Sequence, residues 1–164
     1  MIYTCTFDTP LGILQGSAEE GALIGLHYVG QKYFPSNADS WIEKADDDLF
    51  MQLRIWLEDY FAHRIPEMRI PLAPKGTEFQ QKVWLALLTI PYGTTTTYGA
   101  IAEQLGEGYK KAAHAVGGAV GHNPISLIIP CHRVLGANGS LTGYASGMDK
   151  KQWLLELEGV LPQP

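Results

Sequence analysis

The chain has 164 residues, 46% of them hydrophobic and 18% charged. That composition folds and excludes global disorder, and the length suits one ordinary domain or two small ones. The net charge of −5 is unevenly spread: residues 1–74 hold 5 Lys/Arg against 11 Asp/Glu, residues 75–134 hold 5 against 3, and residues 135–164 hold 2 against 3. A polyanion is repelled by the first stretch and can approach only the second, which also carries His114, His122 and His132. The same acids serve equally well as a solvated surface. No apolar run approaches the ~20 residues of a membrane helix, so no membrane association is expected. The two cysteines, Cys5 and Cys131, exclude a disulfide scaffold and point to a reducing interior, with the cytoplasm as the expected location. The opening MIYTCTFDTPLG alternates and lacks a basic flank, so it reads as a first strand and not as a signal peptide. With no CxxC or HExxH pattern, neither a metal site nor a cofactor is expected.

Residues 2–8, 12–17 and 22–29 are short alternating or apolar runs, punctuated by Pro10-Leu11-Gly12 and Glu19-Glu20-Gly21. They predict an antiparallel meander. Residues 39–62 follow with Trp41, Leu49, Leu53, Trp56, Leu57 and Tyr60 at helical spacing. Asp46, Asp47 and Asp48 are either a solvated stretch within that helix or a break between two helices. Residues 63–76 contain three prolines and a closing glycine, and form the linker, with one short strand inside it. The domain boundary is therefore expected at 74/75, giving domains 1–74 and 75–164.

The second half changes character. Thr77-Glu78-Phe79-Gln80 is a capping-box pattern, and Phe79, Val83, Trp84, Leu87 and Leu88 supply the buried stripe of the helix it opens. Pro91-Tyr92-Gly93 stops that helix. Thr97 caps the next, in which Tyr98, Ile101, Ala102 and Leu105 recur at helical spacing before Gly106. A third helix is expected near residues 110–121, making a helix-turn-helix candidate. Residues 125–129 read as a buried strand between Pro124 and Pro130. Asn138-Gly139 marks a hairpin turn. A last helix over 148–158 turns Trp153, Leu154 and Leu157 inward and ends at Gly159.

Two segments carry chemistry. The third helix, KKAAHAVGGAVG, contains Gly117 and Gly118, each costing ~1 kcal/mol relative to alanine. One face, Ala112, Ala115, Val116, Ala119 and Val120, suits burial. The other, Lys110, Ala113, His114 and Gly117, is smooth except for one large side chain. Tight helix packing accounts for such smoothness, and so does a helix laid against a narrow groove with His114 as a wedge. In the second segment, Ile129-Pro130-Cys131-His132-Arg133-Val134, a cysteine stands beside a histidine. That pattern suggests an activated thiol, which needs a base because a free thiol with pKa ~8.5 is mostly protonated at neutral pH. In a regular strand the two side chains point to opposite faces, so they meet only through a turn or a water. Cys5 reads as an inert buried residue.

The stretch PCHRV, preceded by NPISLII and followed by NGSLTGY and KQWLLELEG, resembles the O6-alkylguanine-DNA alkyltransferases, also called methylated-DNA–protein-cysteine methyltransferases. The resemblance continues upstream through TEFQQKVW, IPYGTTTTYGAIA and AAHAVGGA, and covers roughly residues 70–160. It implies an α+β chain with a ribonuclease-H-like N-terminal domain, an antiparallel sheet plus helix, and a helical, winged-helix-like C-terminal domain. It also implies irreversible, single-turnover transfer of an alkyl group from guanine O6, or thymine O4, to Cys131. In this family pattern His132 activates the thiol through a water, Glu158 orients the histidine, Asn123 braces the active-site turn, and Tyr98 assists departure of the guanine. Val134, Tyr144, Ser146 and Gly147 match the pocket for the extruded base. The helix-turn-helix would enter the minor groove of double-stranded DNA through Ala112, Ala113, Ala115 and Gly117, with Lys110, Lys111 and Arg133 as basic contacts and His114 at the wedge. The protein would act as a monomer.

The family usually has an arginine where His114 stands, so duplex affinity and base flipping are where this sequence departs from the pattern. Gly121 also stands at a position that is basic in some members, and the loop at 107–111 is slightly longer. Two other classes compete. A lesion-binding module that recruits other repair proteins would lack the cysteine. A Cys–His hydrolase or redox thiol would need a small-substrate site that no motif supplies.

Overall fold

The computed structural model describes residues 1–32, 34–35, 40–141, 144 and 147–160. The chain divides into two compact units, Met1–Lys75 and Gly76–Pro164, and the architecture is α+β.

In the first unit, β1 (Ile2–Thr9), β2 (Gly12–Glu19) and β3 (Ala22–Tyr28) form the expected meander. The β1–β2 register runs from Ile2 opposite Glu19 to Thr9 opposite Gly12. The next turn places Glu20 at φ 51° and Gly21 at φ 79°, the positive-φ pair that matches the twist of a two-residue hairpin. The sheet is not wholly antiparallel: β4 (Ile42–Glu43) joins the outer edge of β1 in parallel, giving the order β3-β2-β1-β4.

Residues 39–62 do not form the single helix that their spacing allows, because Asp47 caps α1 (Asp48–Phe61) by accepting the Leu49 N–H at 2.9 Å. A short acidic side chain at an N-cap satisfies a donor that the helix itself cannot. Leu49, Phe50, Leu53, Trp56, Leu57 and Tyr60 make the buried stripe of α1. It sits so close to β2 that a Cβ on Gly16 would lie 3.1 Å from Leu53. Phe7 and Phe50 meet edge to face across that interface. The proline-rich segment lies along β3 through the parallel bridge between Leu23 and Leu72.

In the second unit, α2 (Glu78–Leu87) opens on the full capping box: Thr77 Oγ1 accepts the Gln80 N–H and Gln80 Oε1 accepts the Thr77 N–H. Its buried stripe holds Ala86 in place of Leu88, which is exposed at the C-cap. A two-residue strand β5 (Thr96–Thr97) leads directly into α3 (Tyr98–Gln104), with Thr97 capping at Ala100.

The helix expected near 110–121 is shorter: α4 spans Ala113–Gly121. Residues Glu107–Tyr109 form a separate tight turn, and Tyr109 is held by Lys82 Nζ at 3.1 Å and packs against Phe79. Lys110 and Lys111 therefore precede α4. The helix is fastened to α2 by Trp84 Nε1, which donates to the Ala119 carbonyl at 2.9 Å. The last helix, α5, covers Met148–Leu157.

Candidate active site

The segment expected as a buried strand at 125–129 is a succession of turns. Ile129 N–H reaches the Ile125 carbonyl, Ile128 N–H reaches Ser126, and Cys131 N–H reaches Ile129. Leu127 sits at φ 70°, a conformation rare for a bulky side chain and stable only where the surroundings enforce it. Asn123 does much of the enforcing. Its Nδ2 donates to the Ile125 and Ile129 carbonyls at 3.2 and 2.7 Å, and its Oδ1 accepts the Ile125 N–H at 3.0 Å.

Cys131, His132 and Arg133 then form one 3-10 turn, and all three side chains are buried. The strand geometry that would send Cys131 and His132 to opposite faces does not apply. The turn runs into β6 (Val134–Leu135), which pairs in parallel with β5. That pairing fixes the cysteine turn beside the start of α3, where Tyr98 is the first helical residue. Tyr98 in turn faces α4, since a Cβ on Gly117 would lie 3.8 Å from its ring.

The C-terminal end of α5 completes the cluster. Gly159, at φ 77°, and Val160 return their N–H groups to Glu156 and Leu155, a Schellman ending that sets Glu158 as the C-cap. The Glu158 carboxylate meets His132 Nε2 at 2.6 Å with both side chains fully buried. It also accepts Arg133 Nε at 2.8 Å, Arg133 Nη2 at 3.1 Å and the Gly93 N–H at 3.1 Å. Arg133 Nη1 donates to the Ile90 carbonyl at 2.8 Å. Arg133 was expected among the DNA contacts. Its guanidinium is turned inward and committed to Glu158 and Ile90, so that expectation is corrected.

Burial raises the Cys131 thiol above its ordinary range, opposed by the Asn123 amide, the Lys151 charge and the backbone N–H groups of Cys131 and His132. Burial lowers His132, with Glu158 opposing and Arg133 and Lys151 reinforcing. Both directions favour a neutral thiol and a neutral imidazole at rest over a thiolate–imidazolium pair. With Nε2 committed to Glu158, the ring lone pair lies on Nδ1.

Sequence reasoning missed Lys151. It is 1% exposed, donates to the Val134 carbonyl at 2.5 Å, and is lowered by burial to about 8. The buried stripe of α5 is Lys151, Leu154, Leu155 and Glu158; Leu154 is inward as expected, whereas Trp153 and Leu157 lie half-buried on its flanks. Of the expected pocket residues, Val134 and Tyr144 are buried, and the Gly147 N–H reaches the Tyr144 carbonyl at 3.0 Å. Ser146 lies outside the described residues.

On α4, Val116, Ala119 and Val120 are buried, whereas Ala115, expected on the buried face, is exposed with His114 and Gly118. Ala112, Ala113 and Gly117 are half-buried. Nothing lies within 4 Å of where a Gly118 Cβ would stand. The outer surface is therefore flat except for His114. Lys111 is exposed, and Lys110 is exposed while pairing with Glu107 at 3.2 Å.

A buried cysteine with a histidine–carboxylate pair, tied by a short sheet to a helix-turn-helix, has the layout of a thiol protein that acts on DNA. Comparison with known proteins gives the same class. The model of the 6-O-methylguanine DNA methyltransferase ribonuclease-like domain matches residues 1–74, and that of its DNA-binding domain matches residues 78–160. A methylated-DNA–protein-cysteine methyltransferase of Methanosarcina acetivorans is 46% identical over 158 residues, covering 96% of this chain and 99% of that one. One from Mycobacterium tuberculosis is 48% identical over 158 residues, covering 96% and 93%. The crystal structure of the Mycobacterium tuberculosis O6-methylguanine methyltransferase superposes with a TM-score of 0.88 at 45% identity, covering 100% of this chain and 97% of that one. The Mycobacterium tuberculosis protein in complex with DNA gives 0.86 at 44% identity, covering 95% and 92%. The chain belongs to the 6-O-methylguanine DNA methyltransferase family. Its class of activity is repair of DNA by transfer of an alkyl group to a protein cysteine.

Proposed function

We propose that Cys131 is the acceptor of that alkyl group, that the donor is the O6 of an alkylated guanine (with O4-alkylthymine as a further substrate) in duplex DNA, and that each molecule reacts once. The observation that carries the reading is the buried turn holding Cys131 next to His132, whose Nε2 is fixed by Glu158 at 2.6 Å.

An alkyl carbon inside a stacked duplex is out of reach of a buried thiol, so the nucleotide must be extruded, at a cost of a few kcal/mol. Val134, Tyr144, Ser146 and Gly147 are the proposed walls of the pocket that receives it. His132 takes the thiol proton at Nδ1 through a water as sulfur attacks the saturated alkyl carbon. The C–O6 bond breaks, and its electron pair stays with the guanine. Tyr98 donates a hydrogen bond to the ring, which takes up a proton from solvent while the His132 imidazolium returns to solvent the one it accepted. A neutral resting thiol fits this order of events, because the proton leaves as the new bond forms. Asn123 holds the turn, and its amide favours the ionising sulfur. The thioether product has no leaving group that restores the thiol.

DNA is met by α4, entering the minor groove with Ala112, Ala113, Ala115 and Gly117 close to the backbone, Lys110 and Lys111 at the phosphates, and His114 in the gap left by the extruded base. The protein works as a cytoplasmic monomer. The test is intact mass after incubation with an O6-methylguanine duplex, followed by peptide mapping. One methyl on Cys131 is the expected result. Binding without mass gain would indicate a lesion sensor, and multiple turnovers a different thiol chemistry.

A further inference from the structure

Arg133 follows His132 on the same turn, yet it spends its entire donor fork inside the protein. Its Nε and Nη2 reach the two oxygens of Glu158, Nη1 reaches the Ile90 carbonyl, and the guanidinium lies over the Tyr92 ring at 5.6 Å. An ionised carboxylate offers about four acceptor sites. Those of Glu158 are filled: Oε1 by Arg133 Nε and the Gly93 N–H, Oε2 by His132 Nε2 and Arg133 Nη2.

We infer that Arg133 is a positioning residue that sets the basicity of His132 by neutralising and orienting Glu158. This rests on the reading above, in which Cys131 is the acceptor and His132 its base. A fully paired Glu158 stays an anion and leaves the proton on His132 Nε2, so the base is Nδ1. The Arg133 charge offsets that of Glu158 as seen from the imidazole. Without it, a lone buried carboxylate at 2.6 Å holds the ring as imidazolium, and an imidazolium cannot accept the thiol proton. Among the described residues, the other titratable or charged groups at this cluster are Cys131 on the same turn, Lys151 on α5, and Tyr92, whose ring lies against Arg133 and whose phenol feels Glu158 and Arg133. The lowering of His132 by burial, reinforced by Arg133, agrees with this arrangement.

The experiment is the pH profile of single-turnover methyl transfer from a methylated duplex oligonucleotide, measured for the intact protein, R133Q, R133K and H132Q. R133Q is expected to move the acid limb upward by about one to two pH units. R133K keeps the charge but not the fork, so the limb should stay in place while the plateau falls. A wild-type readout stands beside the variants: His132 followed by NMR should remain neutral below the ordinary histidine range. An imidazolium at neutral pH overturns the inference even if R133Q does not fold. A parallel, pH-independent loss in R133Q also overturns it, as does an equal limb shift in R133K. If methyl is absent from Cys131, or H132Q keeps the acid limb, the underlying reading has failed and the inference falls with it. If both of those hold and only the R133Q limb stays put, the inference alone is wrong.

Discussion

Lys151 donates its ammonium to the carbonyl of Val134 at 2.5 Å, in a position only 1% exposed. Burying a cation is costly even where it donates to a backbone carbonyl, and its pKa near 8 records that cost. Its charge also lowers the Cys131 thiol against the burial that raises it. Lys151→Met should therefore raise the thiol further and slow alkylation of Cys131 at neutral pH by about tenfold, the equivalent of one pKa unit. The advantage of the native protein should narrow above about pH 8, where Lys151 loses its proton. Alkylation of Cys131 by iodoacetamide across that range, in a Cys5→Ser background, reads both effects. A constant ratio at every pH would refute the electrostatic role.

Cys131 and Cys5 are both buried but differ in their neighbours. The Cys131 thiol is favoured toward ionisation by the Asn123 amide, the Lys151 charge and the backbone N–H groups of its own turn, whereas Cys5 is acted on by Arg54, with Nη2 at 3.9 Å, and by Glu43. Cys131→Ser should abolish transfer and leave DNA binding nearly intact, since α4 does not include the turn. Cys5→Ser should leave the rate within about twofold of native, the scale of a conservative change away from the chemistry. Methyl mapped to Cys5 would overturn the assignment.

Much of this arrangement is written in the residues, and the parts that are not share a cause. Thr77 with Gln80, Thr97 with Ala100, and the Glu20-Gly21 turn were legible because a cap or a hairpin depends on a few neighbours in sequence. Residues 125–129 look like a strand because five mostly apolar residues between prolines carry no mark of a turn. The bend is held by the Asn123 side chain, which takes the Ile125 and Ile129 backbone groups, and an asparagine before Pro124 does not announce which backbone groups it will take. On α5 the spacing of Lys151, Leu154, Leu155 and Glu158 is regular. Two of the four are charged, so a count of apolar residues rotates the stripe. Arg133 misled for the same reason: a basic residue in a DNA-acting chain invites a phosphate, and the carboxylate that takes it is 25 residues away.

Glu158→Gln removes the anion that His132 and Arg133 share. The amide brings two donors to a site already crowded with them. Transfer should fall by ~10²–10⁴, the loss typical of a positioned acid–base system. Rapid-quench single-turnover rates on methylated duplex are the measurement, with a cooperative melt as the control for folding. An unchanged rate would remove Glu158 from the reaction.

His27, on β3, is lowered by burial to about 4. The unfolded chain, with an ordinary histidine pKa near 6.5, therefore binds more protons than the folded one between those values. Stability rises with pH through that window and is lost as pH falls through it, by about 3 kcal/mol in all. Below about pH 4 both states hold the proton and the slope ends. Hydrogen exchange of β2 and β3 amides at stepped pH should show this decline, and His27→Gln should flatten it. An equal slope in the variant would place the acid sensitivity elsewhere.

His114 stands exposed on the second residue of a helix whose outer surface is otherwise alanine and glycine. An arginine there would carry its charge at every physiological pH, whereas a histidine is charged only when protonated. His114→Arg should tighten duplex binding and steepen the log–log salt slope by ~0.9 for each further phosphate it neutralises. His114→Ala should separate two reactions that share the same chemistry. Transfer from a duplex requires the vacated stack to be filled while the base is held out, and transfer from the free modified base does not. The duplex rate should therefore fall far more than the free-base rate. Both are read side by side by mass gain on Cys131. Equal losses would mean that His114 does not fill the gap, and that the extruded nucleotide is held only by the pocket that receives it.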